Sequence, residues 1–430
     1  MGSLDIGFPL ESSVIDIGTF TAPHRVASAA LMMSVVFFTV SGNTMENTKL
    51  QVIEAPAKDA TARRKFFKTA AAGAAGVATL SAPMISVAQS PIVFKMQGAW
   101  GAKDIFNEMA EDYVKRVNEM AGGRLRIEYL TAGAVVKPFE VTDAVSKGVL
   151  DAGHTVAVYW YGKSKVASLF GSGPVTGANA EQTLGWMMRG GGYAFYEELQ
   201  KTLGLNLKGF FAFPMPTQPL GWFKKTPPKT GKELNGFKYR TVGLAADLMQ
   251  ELGMKVTQLP GGEIVPAMER GVIDAFEFNN PTSDSRFGAQ DVAKYYSMGS
   301  YHQAMEFFEI IFNGDKYNAL SPDLKAILQY ASEAVSSSNT WTAQDNYSRD
   351  LQKLITKDGV KVSRTPKAVF DAQIAAWDKV VARLEAEDPF FKKVLASQKD
   401  WARRVAYYSF FNEADYKTAY EHVFKTKLPK

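Results

Sequence analysis

One nine-residue phrase occurs twice in the chain, as AVSKGVLDA at 144–152 and as AMERGVIDA at 267–275. In each copy a helix-favouring run reaches a basic residue and a glycine, and two aliphatic residues, Asp and Ala follow. Glycine just past the last helical residue accepts the left-handed conformation that ends a helix, and the aliphatic pair favours a strand. The repeat therefore predicts one helix-to-strand joint used in two related α/β lobes. A chance match of a common joint is the alternative.

Short β-favouring runs alternate with helical runs from residue 91 onward, which is typical of an α/β fold. Strands are predicted at 92–100, 124–130, 149–160, 205–214, 220–225, 236–242, 255–259 and 272–278, and helices at 103–121, 138–148, 180–203, 244–253 and 262–271. From Ser321-Pro322 the pattern is mostly helical, over 321–357, 366–387 and 390–424. We expect an α/β, two-lobed fold with a cleft between facing strand ends and long C-terminal helices. Those helices either brace both lobes or pair with another subunit.

These patterns divide the chain into four predicted regions. They are a leader at 1–88, a first lobe at 89–213 with part of 304–345, a second lobe at 214–303, and a C-terminal helical region at 346–430. A chain of 430 residues is long enough for this division. A single core rarely grows past about 250–300 residues, so more than one lobe is expected.

The stretch ARRKFFKTAAAGAAGVATLSAPMISVA at 62–88 has the features of a twin-arginine export signal. A pair of arginines precedes a weakly apolar run rich in Ala and Gly, and SVA supplies a cleavage site before Gln89. Because the run contains Pro83 and few large aliphatic residues, it predicts a poor permanent membrane span. A signal anchor or a fortuitous Ala-rich helix is the alternative.

Residues 1–44 do not fit a leader, whereas Met45 begins a polar stretch suited to precede the twin arginine. We therefore expect translation to start at Met45, with 1–44 a mis-assigned start and 45–88 the signal peptide. The mature protein, beginning near Gln89, is expected in the periplasm. Peptides from 1–44 in the cell-associated precursor would contradict this start.

The composition excludes several functional classes. The chain has no cysteine, which removes disulfides, thiolate nucleophiles and Cys-ligated metals. Its four histidines lack zinc-site spacing, and the net charge of +5 forms no basic stripe, so no nucleic-acid partner is expected. Walker and G-x-S-x-G motifs are absent from the sequence, and we predict no catalytic residues. His154 is more typical of a core or cleft-edge histidine than of a general base.

Polar residues set among aromatic ones near predicted strand ends are the candidates for binding. Arg240 ends the strand in GFKYRTVG, and its planar guanidinium suits a bidentate grip on a carboxylate; a structural ion pair is the alternative. Glu277 and Phe278 end the strand after the second copy of the phrase, and Asn279 enters the turn that follows. These residues are expected near the strand ends that face the cleft.

Two further groups of candidates complete the predicted site. Gln218 lies in PTQPLGWF, and His302 and Gln303 lie in GSYHQAMEFF. The aromatic candidates are Trp100, Tyr159 and Trp160. Successive strand side chains point to opposite faces, so consecutive aromatic residues are hard to bury together, although core packing is the alternative for each.

The run GFKYRTVGLAADLMQELGMKVTQLPGGEIVPAMERGVIDAFEF resembles the core of the solute-binding proteins of tripartite ATP-independent periplasmic (TRAP) transporters. The resemblance extends over 91–430 and includes GGRLRIEYL, DAVSKGVLDAG and NALSPDLKAIL. Several motifs agree in order and spacing, and the nearest likeness is to members that bind 2-oxo acids with a cation. The resemblance implies capture of a small organic acid, closure of the lobes, and delivery to the small and large membrane subunits of a permease.

The resemblance also implies roles for individual residues. Arg240 would hold the carboxylate, Gln218 and Gln303 would contact ligand or cation, and Glu277 with the carbonyl of Phe278 would bind the cation. That cation is monovalent or divalent, with Na+ preferred, and bridges substrate and protein. Gln303 stands where relatives commonly have Glu, which removes one negative charge and weakens the case for a cation. Phe278 stands where relatives often have Trp, a change that a carbonyl ligand would survive.

The implied ligand is a 2-oxo or 2-hydroxy monocarboxylate, with an aromatic substituent favoured by the many aromatic candidates. The C-terminal helices resemble the extension through which some family members form homodimers. Two other functions remain open on the same two-lobed scaffold. They are a periplasmic enzyme, which would form product from the bound acid, and a sensor subunit, whose deletion would leave uptake intact.

Overall fold

A computed structural model describes residues 90–428 of the chain. The predicted leader, its cleavage site before Gln89 and the predicted start at Met45 lie outside the described residues. The strands are β1 Ile92–Gly98, β2 Leu125–Leu130, β3 Ala152–Thr155, β4 Ser172–Gly173, β5 Leu207–Met215, β6 Gly221–Phe223, β7 Lys238–Arg240, β8 Lys255–Thr257, β9 Ala275–Phe276, β10 Tyr295–Met298, β11 Met305–Asn313 and β12 Lys361–Arg364.

Helices connect and cover these strands. They are α1 Ile105–Ala121, α2 Val141–Ser146, α3 Ala180–Arg189, α4 Gly192–Thr202, α5 Leu244–Glu251, α6 Ile264–Glu269, α7 Pro281–Arg286, α8 Ala289–Val292, α9 Gly314–Asn318, α10 Pro322–Thr356, α11 Lys367–Glu387, α12 Pro389–Asn412 and α13 Tyr416–Phe424. Short 3₁₀ turns occur at Pro138–Glu140, Ala157–Trp160, Lys165–Phe170, Gly231–Leu234 and Gly261–Glu263. Within the described residues, no helix is both long enough and apolar enough to span a membrane.

The strands form two six-stranded sheets, which define the two lobes. The first has the order β2-β1-β3-β11-β4, with β5 also paired to β11, and the second has the order β12-β10-β6-β9-β7-β8. Two short crossovers connect the sheets, at 216–220 and at 299–304, and the chain crosses a third time along α10, between β11 and β12. The short crossovers are joined by hydrogen bonds: the Gln218 amide donates to the Gln303 carbonyl (3.2 Å), and the Ser300 amide donates to the Gln218 carbonyl (3.1 Å). Three of the predicted site residues, Gln218, His302 and Gln303, therefore lie on the short connections between lobes.

The doubled phrase is one structural joint in both lobes, as predicted. Gly148 and Gly271 each follow a helix at φ values of 75° and 71°, which glycine adopts without strain. Val149 and Val272 each donate a backbone bond of 2.9 Å to the first alanine of their own copy. The strand after each copy pairs in parallel with the strand two before it in sequence, β3 with β1 and β9 with β7. The two lobes thus repeat one β-α-β-α-β arrangement, with the strand orders β2-β1-β3 and β8-β7-β9.

The strand predicted after the first copy is wrong in its extent. β3 stops at Thr155, and the aromatic residues Tyr159 and Trp160 lie in or beside the 3₁₀ turn at Ala157–Trp160. The turn bends the chain away from the sheet, so the two neighbouring rings reach different surroundings. β12, which pairs with β10 at the edge of the second sheet, was not predicted, because KVSR has no apolar pattern of its own.

The C-terminal helices brace both lobes. α10 is a 35-residue helix that packs on β5 and α1 of the first lobe and on α7 of the second. α11 packs on α5 of the second lobe, and α12 packs on α3 of the first. Beyond these contacts the end of α12 and all of α13 leave the body of the protein with their aromatic side chains exposed.

Candidate functional site

A small cavity of about 10 Å³ lies between the lobes. Its lining combines aromatic and aliphatic side chains with a small polar group: Trp100, Phe106, Val156, Tyr159, Arg240, Val242, Phe278, Asn279, Gln303 and Glu306. Six of the ten predicted site residues are in this set. Cavities for drug-sized ligands measure about 300–1,000 Å³, so this one suits only a much smaller molecule.

Arg240 is fully buried at the end of β7, and most of its hydrogen-bonding capacity is already used. Its Nε donates to the Leu259 carbonyl (2.8 Å), and its Nη1 donates to the Glu277 carbonyl (2.7 Å) and to Glu277 Oε1 (3.0 Å). Of the three guanidinium nitrogens of Arg240, only Nη2 makes no hydrogen bond with the described residues. The predicted ion-pair alternative is therefore present, and the fork expected to grip a carboxylate with two nitrogens offers one.

Glu277 and Glu306 bring two carboxyl groups to Arg240, and both are buried. Burial raises the pKa of Glu277 to about 7, although Arg240 opposes the rise. Burial, and after it the neighbouring Glu277 carboxylate, raise the pKa of Glu306 to about 8. One guanidinium thus faces two acids, and the site carries more negative than positive charge when both are ionised.

Glu306 was missed by the sequence reasoning, which predicted the loss of a carboxylate at Gln303. Glu306 Oε2 accepts from Gln218 Nε2 (2.5 Å) and from Asn279 Nδ2 (2.8 Å), so it joins three segments distant in sequence. The available signal was a glutamate within the buried, aromatic strand MEFFEIIFN, where an unpaired charge is costly. Glu306 therefore supplies the second carboxylate that Gln303 cannot provide.

Three side-chain oxygens at the site are buried without a hydrogen-bond partner among the described residues. They are Glu277 Oε2, Gln218 Oε1 and Gln303 Oε1. The amide nitrogens of the two glutamines are engaged, by Glu306 and by Ser172 Oγ (2.7 Å), which leaves both amide oxygens as acceptors. Carboxylate, amide and backbone carbonyl oxygens are the ligands of hard cations such as Ca²⁺. In the described part of the chain no cluster of three or more His, Asp or Glu side chains could hold a metal.

A further buried acid, Asp284, holds the turn that follows β9. Asp284 accepts from Trp222 Nε1 (2.8 Å), from the Tyr296 hydroxyl (3.0 Å) and weakly from the Asn279 amide (3.4 Å). Burial raises the pKa of Asp284 to about 7. Asn280 caps α7 through the Ser283 amide (2.8 Å). These bonds hold the segment that presents Phe278 and Asn279 to the cavity.

Two of the predicted site residues lie away from the cavity lining. Trp160 Nε1 donates to Glu309 (3.0 Å) inside the first lobe, because the 3₁₀ turn directs its ring opposite to that of Tyr159. His302 is buried on the crossover, with Nδ1 2.7 Å from Ser300 Oγ and Nε2 3.2 Å from the Tyr239 hydroxyl. Burial lowers the pKa of His302 to about 3. Both residues support the walls of the site without reaching it.

Contacts between the lobes close the cavity on two sides. Ser283 of the second lobe donates to Asp104 Oδ1 of the first (2.6 Å), and Arg286 pairs with Glu108 (2.7 Å). On the other side Asp247 of α5 receives the Lys165 ammonium (2.6 Å) and the Tyr161 hydroxyl. Each of these bonds joins residues from different lobes, so they hold only while the lobes are together.

Two braced α/β lobes, two short crossovers and a small polar cavity shut between them define a two-lobed solute-binding protein. The model of bacterial extracellular solute-binding proteins, family 7 (DctP), matches residues 96–388, which is most of the chain. The chain belongs to this family. The predicted resemblance and the two-lobed fold are both confirmed.

Relatives and solved structures agree with this assignment. The monocarboxylate 2-oxoacid-binding periplasmic protein of Nostoc sp. (strain PCC 7120) is 29% identical over 360 residues, covering 82% of this chain and 97% of the relative. A TRAP transporter solute-binding protein of Bordetella bronchiseptica, a mixed-occupancy dimer with copurified calcium and picolinate, has a TM-score of 0.73 and 27% identity, covering 78% of this chain and 98% of that one.

Two further structures carry pyruvate with a cation. The TRAP periplasmic solute-binding protein of Pseudoalteromonas atlantica, with sodium and pyruvate, has a TM-score of 0.71 and 28% identity over 77% of this chain and 99% of its own. That of Colwellia psychrerythraea, with calcium and pyruvate, has a TM-score of 0.71 and 28% identity over 78% of this chain and 100% of its own.

Proposed function

We propose that this protein captures a small 2-oxo or 2-hydroxy monocarboxylate together with a cation and delivers both to a TRAP permease. The observation that carries the proposal is the buried group of Arg240, Glu306 and Gln303 in the cavity lining, with Glu277 and Gln218 bonded to it and three side-chain oxygens unpartnered among the described residues. The pyruvate-bound relatives support the ligand class. The arrangement offers one nitrogen of Arg240 to the anion and several oxygens to a cation.

The charge at the site favours a bound cation. With both acids ionised, Arg240 neutralises one of them, and a monocarboxylate adds a second uncompensated negative charge. Buried charges need compensation, because an unpaired ion in a low-dielectric site is strongly disfavoured. Ca²⁺ would bring the buried site to neutrality with both acids ionised, whereas Na⁺ would do so with Glu306 protonated, which its pKa of about 8 allows near pH 7. The charge of the site therefore fits either ion.

The apolar part of the lining restricts the rest of the ligand. Phe106, Val156 and Val242 offer no hydrogen bonds, and Arg240 is the one cationic side chain in the described lining. A second carboxylate would be buried without a partner, so a dicarboxylate is disfavoured. The small volume fits a short aliphatic substituent, and a planar aromatic acid would require the aromatic walls to move.

The cation requirement is tested with Glu306→Gln. In wild-type protein stripped with EDTA and dialysed against sodium-free buffer, pyruvate is expected to raise the melting temperature only after Ca²⁺ or Na⁺ is restored. A ligand at about a hundredfold excess over Kd stabilises by about 2.7 kcal/mol. Glu306→Gln is expected to lose this cation dependence, because it removes a charged oxygen ligand.

The matched control is Glu309→Gln, three residues along the same strand. Glu309 is equally buried but accepts from Trp160 and from the Tyr196 hydroxyl (2.5 Å), away from the cavity. This variant is expected to keep the cation dependence. A wild-type response to pyruvate that persists after EDTA treatment in sodium-free buffer would overturn the cation, and no response to any 2-oxo or 2-hydroxy acid would overturn the ligand class.

We infer that the mature protein reaches the periplasm by the twin-arginine route and meets the permease there. The arginine pair at 63–64 and the weakly apolar run after it support this route. The family is extracellular, which supports a solute receptor over the two alternatives. Product formed from pyruvate by the purified protein would favour the enzyme, and intact uptake in a deletion strain would favour the sensor.

We propose that two copies pair through the C-terminal helices. Tyr407, Phe411 and Phe424 are 69%, 84% and 63% exposed, and they lie among further exposed aromatic side chains at the end of α12 and on α13. Large exposed apolar faces usually mark contacts with a partner. Light scattering is expected to give the mass of two chains, and Phe411→Ser with Phe424→Ser is expected to give one. A wild-type mass of one chain would contradict the pairing.

A further inference from the structure

Trp100 forms one wall of the ligand cavity, and its indole ring is tied to a histidine that does not line the cavity. Trp100 Nε1 donates to His154 Nδ1 at 2.8 Å, and both side chains are almost wholly buried. We propose that His154 is a positioning residue that sets the orientation of Trp100 and thereby the size of acid that the site accepts. For the identity of the ligand, the proposal rests on the proposed function. For the tie, which is the hydrogen bond between Trp100 and His154, it rests on the geometry alone.

The hydrogen bond fixes the tautomer of His154. An indole N–H can only donate, so Nδ1 is the acceptor and the ring proton lies on Nε2. Burial lowers the pKa of His154 to about 3, so the ring is neutral at any pH near neutrality and Nδ1 remains available. Protonation of His154 therefore does not compete with the bond under the conditions in which the protein binds ligand.

The backbone brings the two residues together. β1 and β3 are parallel neighbours with Gly98 opposite His154, and the Ala99 amide donates to the His154 carbonyl (3.0 Å). Trp100 therefore leaves the strand directly beside the imidazole. Its ring packs edge-on against Phe106 (5.1 Å between centroids) and lies beside Phe308 (5.5 Å), which itself packs on His154 (4.4 Å).

A histidine is an unfavourable choice for packing alone at this position. Its Nε2 is buried without a hydrogen-bond partner in the described part of the chain. A leucine or phenylalanine would fill this aromatic surrounding without leaving a polar atom unpaired. Local choices that break a packing rule tend to occur where function requires them. The function available here is to receive the indole N–H, because Trp100 otherwise buries an unsatisfied donor or turns its ring.

The orientation of Trp100 bears directly on specificity. The hydrogen bond to His154 holds the indole in the orientation in which it lines the cavity. A released ring has another rotamer available, in which the N–H seeks a partner in the cavity and the wall recedes. We expect this change to weaken binding of a small acid more than binding of a larger one.

The test compares pyruvate with 4-methyl-2-oxopentanoate by calorimetry, with the cation present. His154→Leu is expected to weaken pyruvate binding at least tenfold and to move the ratio of the two Kd values at least fivefold toward one. His154→Gln can still accept the indole N–H, and it is expected to keep the ratio within twofold of wild type. A general loss of stability would lower both affinities alike and leave the ratio unchanged.

A double-mutant cycle shows whether His154 acts through Trp100. Phenylalanine has no N–H to donate, so His154→Leu is expected to leave the ratio unchanged in a Trp100→Phe background. The proposal would be overturned if His154→Leu changed the ratio of the two Kd values in the Trp100→Phe background. It would also be overturned if His154→Leu alone left that ratio unchanged.

A readout without ligand separates this proposal from the proposed function. The indole N–H resonance of Trp100 in a ¹H–¹⁵N spectrum, assigned by its loss in Trp100→Phe, is expected to shift in His154→Leu and to stay near its position in His154→Gln. That shift would stand even if neither acid bound, in which case the ligand class fails and the tie survives. An unmoved resonance in His154→Leu would overturn the tie whatever the ligand.

Discussion

Arg240→Lys is expected to weaken binding of pyruvate at least a hundredfold, or about 2.7 kcal/mol at about 1.4 kcal/mol per tenfold change. Lysine keeps the positive charge but is a single point donor. It cannot serve the Leu259 carbonyl, Glu277 and a ligand carboxylate at once, as the three guanidinium nitrogens can. Calorimetry with pyruvate and Ca²⁺ measures the loss. An affinity within threefold of wild type would show that Arg240 is a structural partner of Glu277 and does not hold the ligand.

Arg240→Ala alone would confuse binding with folding. It leaves Glu277 buried without its partner, a change that typically costs about 3–5 kcal/mol of folding free energy. Glu277 can relieve this cost by taking up a proton, because burial already raises its pKa to about 7. The stability lost in Arg240→Ala is therefore expected to recover in part as the pH falls below 7. Adding Glu277→Gln is expected to restore folding at neutral pH without restoring the binding lost with the arginine.

Gly243→Ala is expected to weaken ligand binding at least a hundredfold by holding the lobes apart. Gly243 follows β7, and a Cβ on it would lie 2.1 Å from Val158 Cγ2 and 2.8 Å from Ser168 Oγ, both in the first lobe. Val158 is buried and has a branched, stiff side chain, so it has little room to yield. Separation of the lobes is the remaining way to make space, and only contacts formed in the closed state favour closure.

The matched control for Gly243→Ala is Gly236→Ala in the same lobe. Both glycines have positive φ, 61° and 84°, so both substitutions strain the backbone, by about 1 kcal/mol or more. A Cβ at Gly236 meets no atom within 4 Å. Gly236→Ala is therefore expected to lose stability but to keep its affinity within threefold.

A second substitution checks the cause of the Gly243 effect. Val158→Ala removes the methyl that the new Cβ would strike, so it is expected to recover part of the affinity lost in Gly243→Ala. Small-angle scattering is expected to show compaction on ligand addition in wild type and in Gly236→Ala, and little in Gly243→Ala. Equal compaction in all three proteins would contradict the closure argument.

The local joints of this protein could be predicted because their causes are local. Glycine after a helix, an aliphatic pair and an aspartate specify the same hydrogen bonds at Gly148 and at Gly271 wherever they occur. The ends of β7 and β9 followed from the same pattern, and they bring Arg240 and Glu277 to one edge of the sheet. Parallel neighbours deliver the residues at their carboxyl ends to the same side, so sequence order was sufficient there.

The composition of the site could not be completed from the sequence. Glu306 reaches the cavity because β11 belongs to the first sheet while its partners Gln218 and Asn279 come from a crossover and from the second lobe. Trp160 and His302 have sequence neighbours like those of true lining residues, but a 3₁₀ turn and a hydrogen bond direct them elsewhere. The sequence within a few residues of Trp160 or His302 does not indicate where the side chain points.

By itself the sequence determined the two-lobed α/β architecture, the doubled joint and the family, because periodicity, glycine chemistry and motif order are properties of neighbours along the chain. The tertiary structure alone decided how many acids face Arg240, how many of its nitrogens remain for a ligand, and which aromatic residues form the walls. Those outcomes depend on distances between segments that are far apart in sequence. The packing of the lobes sets these distances. The free energy of burying a charge depends on them, because it is determined by which partners lie within reach of that charge.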